Sequence, residues 1–335
     1  MITLGIETSC DETAVAIVED GSVIRTNLIA RQEHLHERFG GVVPEVAARA
    51  HVEALTPLLA QALDETRLDF GDLDGVAVTV GPGLVGALLV GMAAAKSVSL
   101  ATGMPLVGVN HLEAHYWANF LVHGLPEPPY VALIVSGGHT MLVHVPAMFR
   151  HEVLGQTLDD AAGEAFDKVA RLLGLGFPGG PALDAAARTG DAAAVRFPRA
   201  MEDSGDLDFS MSGLKTAVLR HVKTERAAGR KIDVPDLAAS FQEAIVDVQV
   251  SKTLRAAHDT GVPRVLLGGG VVANTRLRER LQADGTAAAL EMLIPPLELC
   301  TDNAAMVACL GSAKLAAGER ARLDIAADPN LPLTP

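Results

Sequence analysis

Two α/β lobes are the architecture this sequence predicts, and two observations predict it. Strand, turn and helix signals recur in the same order in both halves, and 335 residues suffice for about two domains with a core each. The first half opens with ITLGIE (2–7), a short strand, then the polar turn SCDET, a second strand AVAIV and the hairpin turn EDGS. The segment 45–63 carries helical spacing, with Val46, Ala50, Ala54, Leu58 and Ala62 expected on its core stripe. VAVTVGPGLVGALLVGMAAAKSV (76–98) reads as a strand running into a Gly-rich turn and a helix.

The second half repeats this order. YVALIVSGGHTMLVHVP (130–146) is strand, hydroxyl-and-glycine turn, strand. A helix over 237–257 buries Leu237, Phe241, Ile245 and Val248, and VLLGGGVVANTRLRERL (265–281) is again strand, Gly turn and helix. The duplicated pattern implies two lobes with a cleft between them. Turns rich in Gly, Ser and Thr present N–H groups and hydroxyls that can cradle an anion, or are tight connections without a ligand. No P-loop pattern occurs, and GPGLVG lacks the acidic residue that would complete a dinucleotide fingerprint.

Composition narrows the partners. Hydrophobic residues are 49% and charged residues 20%, as in globular proteins. The N-terminus shows no basic n-region or signal-peptide core, and the longest apolar run (83–95) is shorter than the about 20 residues of a membrane span. Three cysteines, Cys10, Cys300 and Cys309, form neither a disulfide framework nor a metal-finger spacing. A cytoplasmic protein without membrane attachment is expected. The net charge of −14 is unlike a free-standing nucleic-acid binder. One stretch, 215–231, has six Lys/Arg against one Glu and is either a solvated helix face or a polyanion contact.

Several constellations could carry chemistry. His111 and His115 in NHLEAH are four apart, so a helix puts both imidazoles on one face, about 40° apart, where they can share a metal. A zinc protease would place a glutamate directly after the first histidine. Leu112 stands there, and Glu113 lies about 200° around the helix, so the water-activating base is missing. Asp302 precedes an apolar helical run and is either its N-cap or a third metal ligand. Asp160, Glu164 and Asp167 share one helix face, either solvated or answered by a cation or ligand hydroxyls. Ser212 is expected to cap a helix whose first turn carries Lys215, a cation that needs an anionic partner there.

GIETSCDET, GGVVPE, GPGLVGALLVG, NHLEAH, VSGGHT, GEAFDK, PGGP, DFSMSGLKT, GGGVVAN and CTDNAAM follow in the order of one family and run through nearly the whole chain. The sequence resembles the bacterial tRNA adenosine threonylcarbamoyltransferase family. The resemblance implies the actin-like, sugar-kinase-like fold, with two ribonuclease H-like lobes flanking a cleft. Its expected division is an N-terminal lobe over 1–125 and a C-terminal lobe over 126–335 with a helical insertion around 150–235. It implies transfer of threonylcarbamoyl from threonylcarbamoyl-adenylate to the N6 amine of adenosine 37, in tRNAs reading codons that begin with adenine, with release of AMP.

The matched metal ligands are His111, His115 and Asp302, for one divalent ion, iron(II) or zinc. Ile134, Val135, Ser136, Gly137, Gly138, Asp167, Gly180, Asp184 and Asn274 match the adenylate-binding positions. Asp11 and Glu12, on the first hairpin turn, are candidates for substrate orientation or proton removal. Asn110 and Val272 depart from the family pattern, where many relatives have a histidine and a small residue. The implied partners are tRNA, a smaller paralogue of the same fold and a P-loop ATPase subunit. A related metal-dependent carbamoyltransferase acting on a small-molecule hydroxyl is the alternative. A kinase-type ATPase would not need the metal residues, and a non-catalytic scaffold would lack them.

Overall fold

Each half of the chain builds a five-stranded mixed sheet with the same strand order. The computed structural model describes residues 1–125 and 127–333. Its two compact units are Met1–Pro126 with Pro295–Leu333, and Glu127–Ile294.

In the first unit, β1 (Ile2–Glu7), β2 (Glu12–Glu19) and β3 (Val23–Arg31) form an antiparallel meander. After α1 (Glu33–His36) and α2 (Pro44–Thr66), β4 (Gly75–Gly81) pairs parallel to β1. Helix α3 (Val85–Thr102) returns the chain to β5 (Leu106–Asn110), parallel to β4. Two short helices follow, α4 (His111–Trp117) and α5 (Phe120–His123). The order is β3-β2-β1-β4-β5. Strands β1, β2 and β4 are near-continuous apolar runs because both their faces are covered.

The second unit repeats this with β6 (Tyr130–Val135), β7 (Thr140–Ala147) and β8 (Arg150–Gln156) as the meander. Helices α6 (Ala162–Leu173), α7 (Gly179–Ala187), α8 (Ser212–Ala227) and α9 (Val234–Thr260) lead to β9 (Arg264–Gly268), parallel to β6. Helix α10 (Thr275–Ala287) and β10 (Glu291–Leu293) complete the order β10-β9-β6-β7-β8. The two lobes are duplicated ribonuclease H-like units, as the actin-like fold requires. All four core residues expected on α9 are buried, with Phe241 edge-on to Phe166 at 5.5 Å.

The last helix, α11 (Ala304–Ala316), packs on β1 and β4 of the first unit. This corrects the expected C-terminal lobe of 126–335, since Pro295–Leu333 belongs with the N-terminal unit. The contact needs small residues. A Cβ on Gly5 of β1 would lie 2.3 Å from the Ala304 carbonyl oxygen, and one on Gly311 would meet Ala77 of β4. No expected period links segments so far apart in sequence.

Two local expectations are also corrected. The core stripe of α2 begins on Ala47, His51 and Leu55, one position beyond the expected Val46, Ala50 and Ala54, while Ala62 is buried as expected. Apolar counting missed it because one buried member is a histidine, held by Thr13 Oγ1 at 2.7 Å and the Cys10 carbonyl at 2.9 Å. Ser212 is the first residue of α8 rather than its cap. The Asp159 carboxylate does the capping, accepting from the backbone N–H of Met211 and Ser212.

Helix α3 is long and apolar enough, by length and composition, to cross a membrane. In this structure Ala87, Leu88, Gly91, Met92 and Ala95 bury one face, while Val85, Leu89 and Leu100 remain exposed on another.

Candidate functional site

Within the first unit, the C-terminal ends of the three parallel strands converge on one set of side chains. This is where open α/β sheets characteristically bind ligands. Asn110 ends β5, and its side-chain oxygen caps α4 by accepting from Leu112 N and Glu113 N. The departure from the family pattern at this position therefore keeps a helix cap. It starts α4 directly at His111, with His115 one turn later, both buried.

Asp302 reaches the pair from the start of α11. Its Oδ1 lies 3.3 Å from His115 Nε2 and 3.6 Å from His111 Nε2. The N-cap alternative for Asp302 fails, because Asn303 caps α11 by accepting from Met306 N. One ligand atom from each of His111, His115 and Asp302 fits within 4.8 Å of the others. His115 Nε2 is buried and makes no hydrogen bond among the described residues. An imidazole nitrogen in that state fits a metal, and the mixed nitrogen–oxygen donor set suits iron or zinc.

Sequence reasoning missed Glu7, which closes β1 and is fully buried. Its Oε2 lies 3.0 Å from His111 Nδ1 and accepts from Thr79 Oγ1 at 2.7 Å, and its Oε1 accepts from Ser9 N at 2.5 Å. Ser9 Oγ is also 3.2 Å from His111 Nδ1. Burial works against charge on His111, but Asp302 and then Glu7 overcome it and push its pKa up to about 9. Burial likewise opposes charge on Glu7, yet His111 and Thr79 hold its carboxyl below the usual range. The available signal was a lone acidic residue ending a strand that is otherwise apolar.

Asp11 ends the β1–β2 turn beside this cluster, and Glu12, expected on the turn, is instead the first residue of β2. Burial first, then the Asp302 and Asp11 carboxylates, raise Glu12 well above its ordinary range and favour its protonated form. Glu113 turns the other way, 3.5 Å from Lys314 of α11, so no carboxylate from α4 stands at the metal cluster as a protease base. Burial lifts its pKa to about 7 against the pull of Lys314.

The matched nucleotide positions all lie in the second unit. Ile134 and Val135 are wholly buried strand residues of β6, so their side chains serve the core. Ser136 N donates to the His139 carbonyl, closing the turn that exposes Gly137 and Gly138. A Cβ at Gly137, Gly138 or Gly180 would meet nothing within 4 Å, and none has a positive φ. Packing does not demand glycine at these three positions, whereas bare backbone lets a ligand approach closely.

The polar members also hold elements together. Asp167 Oδ1 accepts from Gly179 N, fixing the PGGP turn to α6. Asp184 accepts from Thr275 N and Oγ1, while Asn274 caps α10 and donates to Gln242. Asp160 and Glu164 are answered by the ammonium groups of lysines. Lys168 pairs with both, at 3.1 and 2.7 Å, and Lys215 pairs with Asp160, supplying the expected anionic partner.

The family model for tRNA N6-adenosine threonylcarbamoyltransferase matches residues 23–309. Relatives bearing that name include one from Moorella thermoacetica, 53% identical over 98% of this chain and 96% of its own length. Another, from Bacillus licheniformis, is 52% identical over 100% of this chain and 98% of its own. Among solved structures, T. kodakarensis HypF gives a TM-score of 0.64 at 15% identity, covering 94% of this chain and 48% of that one. Component A of Acidaminococcus fermentans (R)-2-hydroxyglutaryl-CoA dehydratase gives 0.56 at 15% identity, covering 94% and 99%. At such identity the structural likeness concerns the fold alone.

Proposed function

This chain belongs to the tRNA N6-adenosine threonylcarbamoyltransferase family, and from that premise we propose how its residues divide the work. The enzyme is a transferase that places a threonylcarbamoyl group on the N6 amine of a tRNA adenosine. The donor is threonylcarbamoyl-adenylate, the acceptor is adenosine 37 of tRNAs reading codons that begin with adenine, and AMP leaves. Small-molecule carbamoyl transfer is not favoured, because the family match covers most of the chain.

The observation that carries the assignment is the convergence of His111, His115 and Asp302 within 4.8 Å, with His115 Nε2 lacking a hydrogen bond. These three would hold one divalent ion, iron(II) or zinc. Bound there, it would supply Lewis acidity toward the donor and offset charge on the departing AMP. His111 would offer Nε2 to the ion, because its Nδ1 faces Glu7.

In the second unit, the Gly137–Gly138 turn and Gly180 would receive the adenylate against bare backbone. Ser136, Asp167, Asp184 and Asn274 would supply polar contacts. The three carboxylate and amide groups already brace α6, α7 and α10, so they can accept or donate to the nucleotide from fixed positions. Ile134 and Val135 can contribute only main-chain contacts. Asp11 and Glu12 would orient the substrate or receive the amine proton. In its protonated form Glu12 can donate a hydrogen bond to the substrate, and it must ionise before it can take a proton.

The paralogous subunit and the P-loop ATPase implied by the resemblance would act with this chain in the cytoplasm, without a membrane. The exposed apolar stripe of α3 supports a subunit contact, since Val85, Leu89 and Leu100 are each more than half exposed. Mass spectrometry of tRNA nucleosides after depletion of the protein tests the function. Threonylcarbamoyladenosine should vanish, returning with the wild-type chain but not with His111→Ala. Undiminished modification after depletion would sink the proposal.

A further inference from the structure

We propose that Glu7 is the positioning residue of the metal centre, fixing His111 with its ring proton on Nδ1 so that the Nε2 lone pair faces the ion. The inference rests on the reading of His111, His115 and Asp302 as ligands. Glu7 is not one of them, and its position at the end of β1 is held from several sides. Its Oε1 accepts from Ser9 N, and its Oε2 accepts from Thr79 Oγ1 while facing His111 Nδ1 at 3.0 Å.

A carboxylate with no exposed surface is costly unless its oxygens are paired. Here the pairing has a directional consequence. A neutral imidazole carries one N–H and one lone pair, so committing Nδ1–H to a carboxylate leaves Nε2 as the donor to a metal. The second histidine has no such brace, because His115 Nδ1 makes no hydrogen bond among the described residues. His111 is thus the ligand oriented in advance. Thr79 at the end of β4 and Ser9 on the β1–β2 turn orient the residue that orients it.

Glu7→Gln is the informative variant because it keeps shape and burial. Ser9 N–H still needs an acceptor, so the amide oxygen turns toward it. The NH₂ group then faces His111 Nδ1 and Thr79 Oγ1, which makes Nδ1 an acceptor and moves the ring proton to Nε2, against the ion. Zinc affinity, read by chelator competition on the full chain, should fall about 10- to 100-fold. In ¹⁵N-labelled metal-free protein at alkaline pH, where the ring is neutral, wild type should show the His111 proton on Nδ1, and the variant should show it on Nε2. A merely structural role would leave that signal in place.

If Glu7→Gln does not fold, Thr79→Val strips one donor from the carboxylate and should lower zinc affinity by a smaller factor, with the ring proton still on Nδ1 because Glu7 remains a carboxylate facing it. Wild-type zinc binding abolished by His111→Ala, with Glu7→Gln within about twofold of wild type and Nδ1–H retained, overturns the positioning role alone. No zinc binding by wild type overturns the ligand reading as well.

Discussion

Nε2 of His115 lies 3.3 Å from Oδ1 of Asp302, across the start of two helices whose caps are both supplied by asparagines. Asn110 caps α4 and Asn303 caps α11. Each asparagine adjoins a candidate ligand in sequence, His111 and Asp302. The division matters chemically, because a carboxylate spent on backbone N–H groups would have less to offer a cation. With capping assigned to neutral amides, neither helix start draws on the histidines or the aspartate for its N-cap. Close packing of α11 on β1, permitted by Gly5, then brings Asp302 to the strand end that carries Glu7.

Removing His115 should therefore empty the centre without unfolding the lobe. In His115→Ala we expect metal affinity to fall more than about tenfold, with transfer activity lost. The buried imidazole has no hydrogen bond to lose, so the stability cost should stay near the about 1–3 kcal/mol of a typical core truncation. Elemental analysis alongside thermal unfolding checks both. Full metal occupancy in the variant would remove His115 from the ligand set.

The purified chain should not cleave peptides. Leu112 occupies the position of a protease base, and Glu113 is directed at Lys314. Incubation of the metal-loaded protein with a denatured protein substrate should leave it intact. Metal-dependent cleavage that disappears in His111→Ala would contradict this.

Stability should fall in mild acid through His51. Burial lowers its pKa below the ordinary 6.5, although the Cys10 carbonyl and the charges of Glu7 and Asp11 oppose the shift and His36 adds to it. The unfolded chain then takes up a proton near pH 6.5 that the folded chain takes up only at lower pH. The contribution is complete above 6.5 and is lost as pH falls toward the folded value, no steeper than about 1.4 kcal/mol per pH unit for one proton. His51→Gln can keep the contacts to Thr13 and Cys10 without titrating. Urea unfolding between pH 5 and 7.5 should show a shallower acid slope in that variant, and an equal slope would exclude His51 as its source.

How far the sequence revealed all this depends on which physical signal each residue leaves. Strands β1, β2, β4, β6, β7 and β9 were legible as apolar runs ended by turn residues. Strands β3 and β10 were not, since β3 is largely unburied and β10 has only three residues. The histidine pair was legible because α4 imposes its period on two nearby residues. Glu7 and Thr79 were not, because their meeting with His111 depends on β1, β4 and β5 lying side by side, and pairing register leaves no local period. The same holds for α11, whose place in the first unit follows from glycines that only contact explains.

The exposed side of α3 should carry a subunit contact. Leu89 is 54% exposed, in line with Val85 and Leu100, while Leu88 and Met92 face the core. Leu89→Glu should leave folding unchanged and abolish co-purification with the proposed paralogous subunit. Retained association would place that contact elsewhere.

The basic side of α8 should bind tRNA. Leu214, Val218 and Val222 are buried, which turns Arg220, Lys223 and Arg226 toward solvent as one stripe on the opposite side of the helix. None of the three forms an ion pair among the described residues, unlike Lys215 with Asp160 or Arg230 with Glu225. In a chain of net charge −14 they form the one strongly basic stretch, so they are well placed to meet phosphates. Reversing all three to Glu should weaken tRNA binding in the assembled complex, and each lost phosphate contact should reduce the salt slope by about 1. Adenylate binding should be unaffected, because the Gly137–Gly138 turn, Gly180 and Asp184 lie on other elements. Unchanged tRNA affinity and salt dependence in the triple variant would reduce the stripe to a solvated helix face.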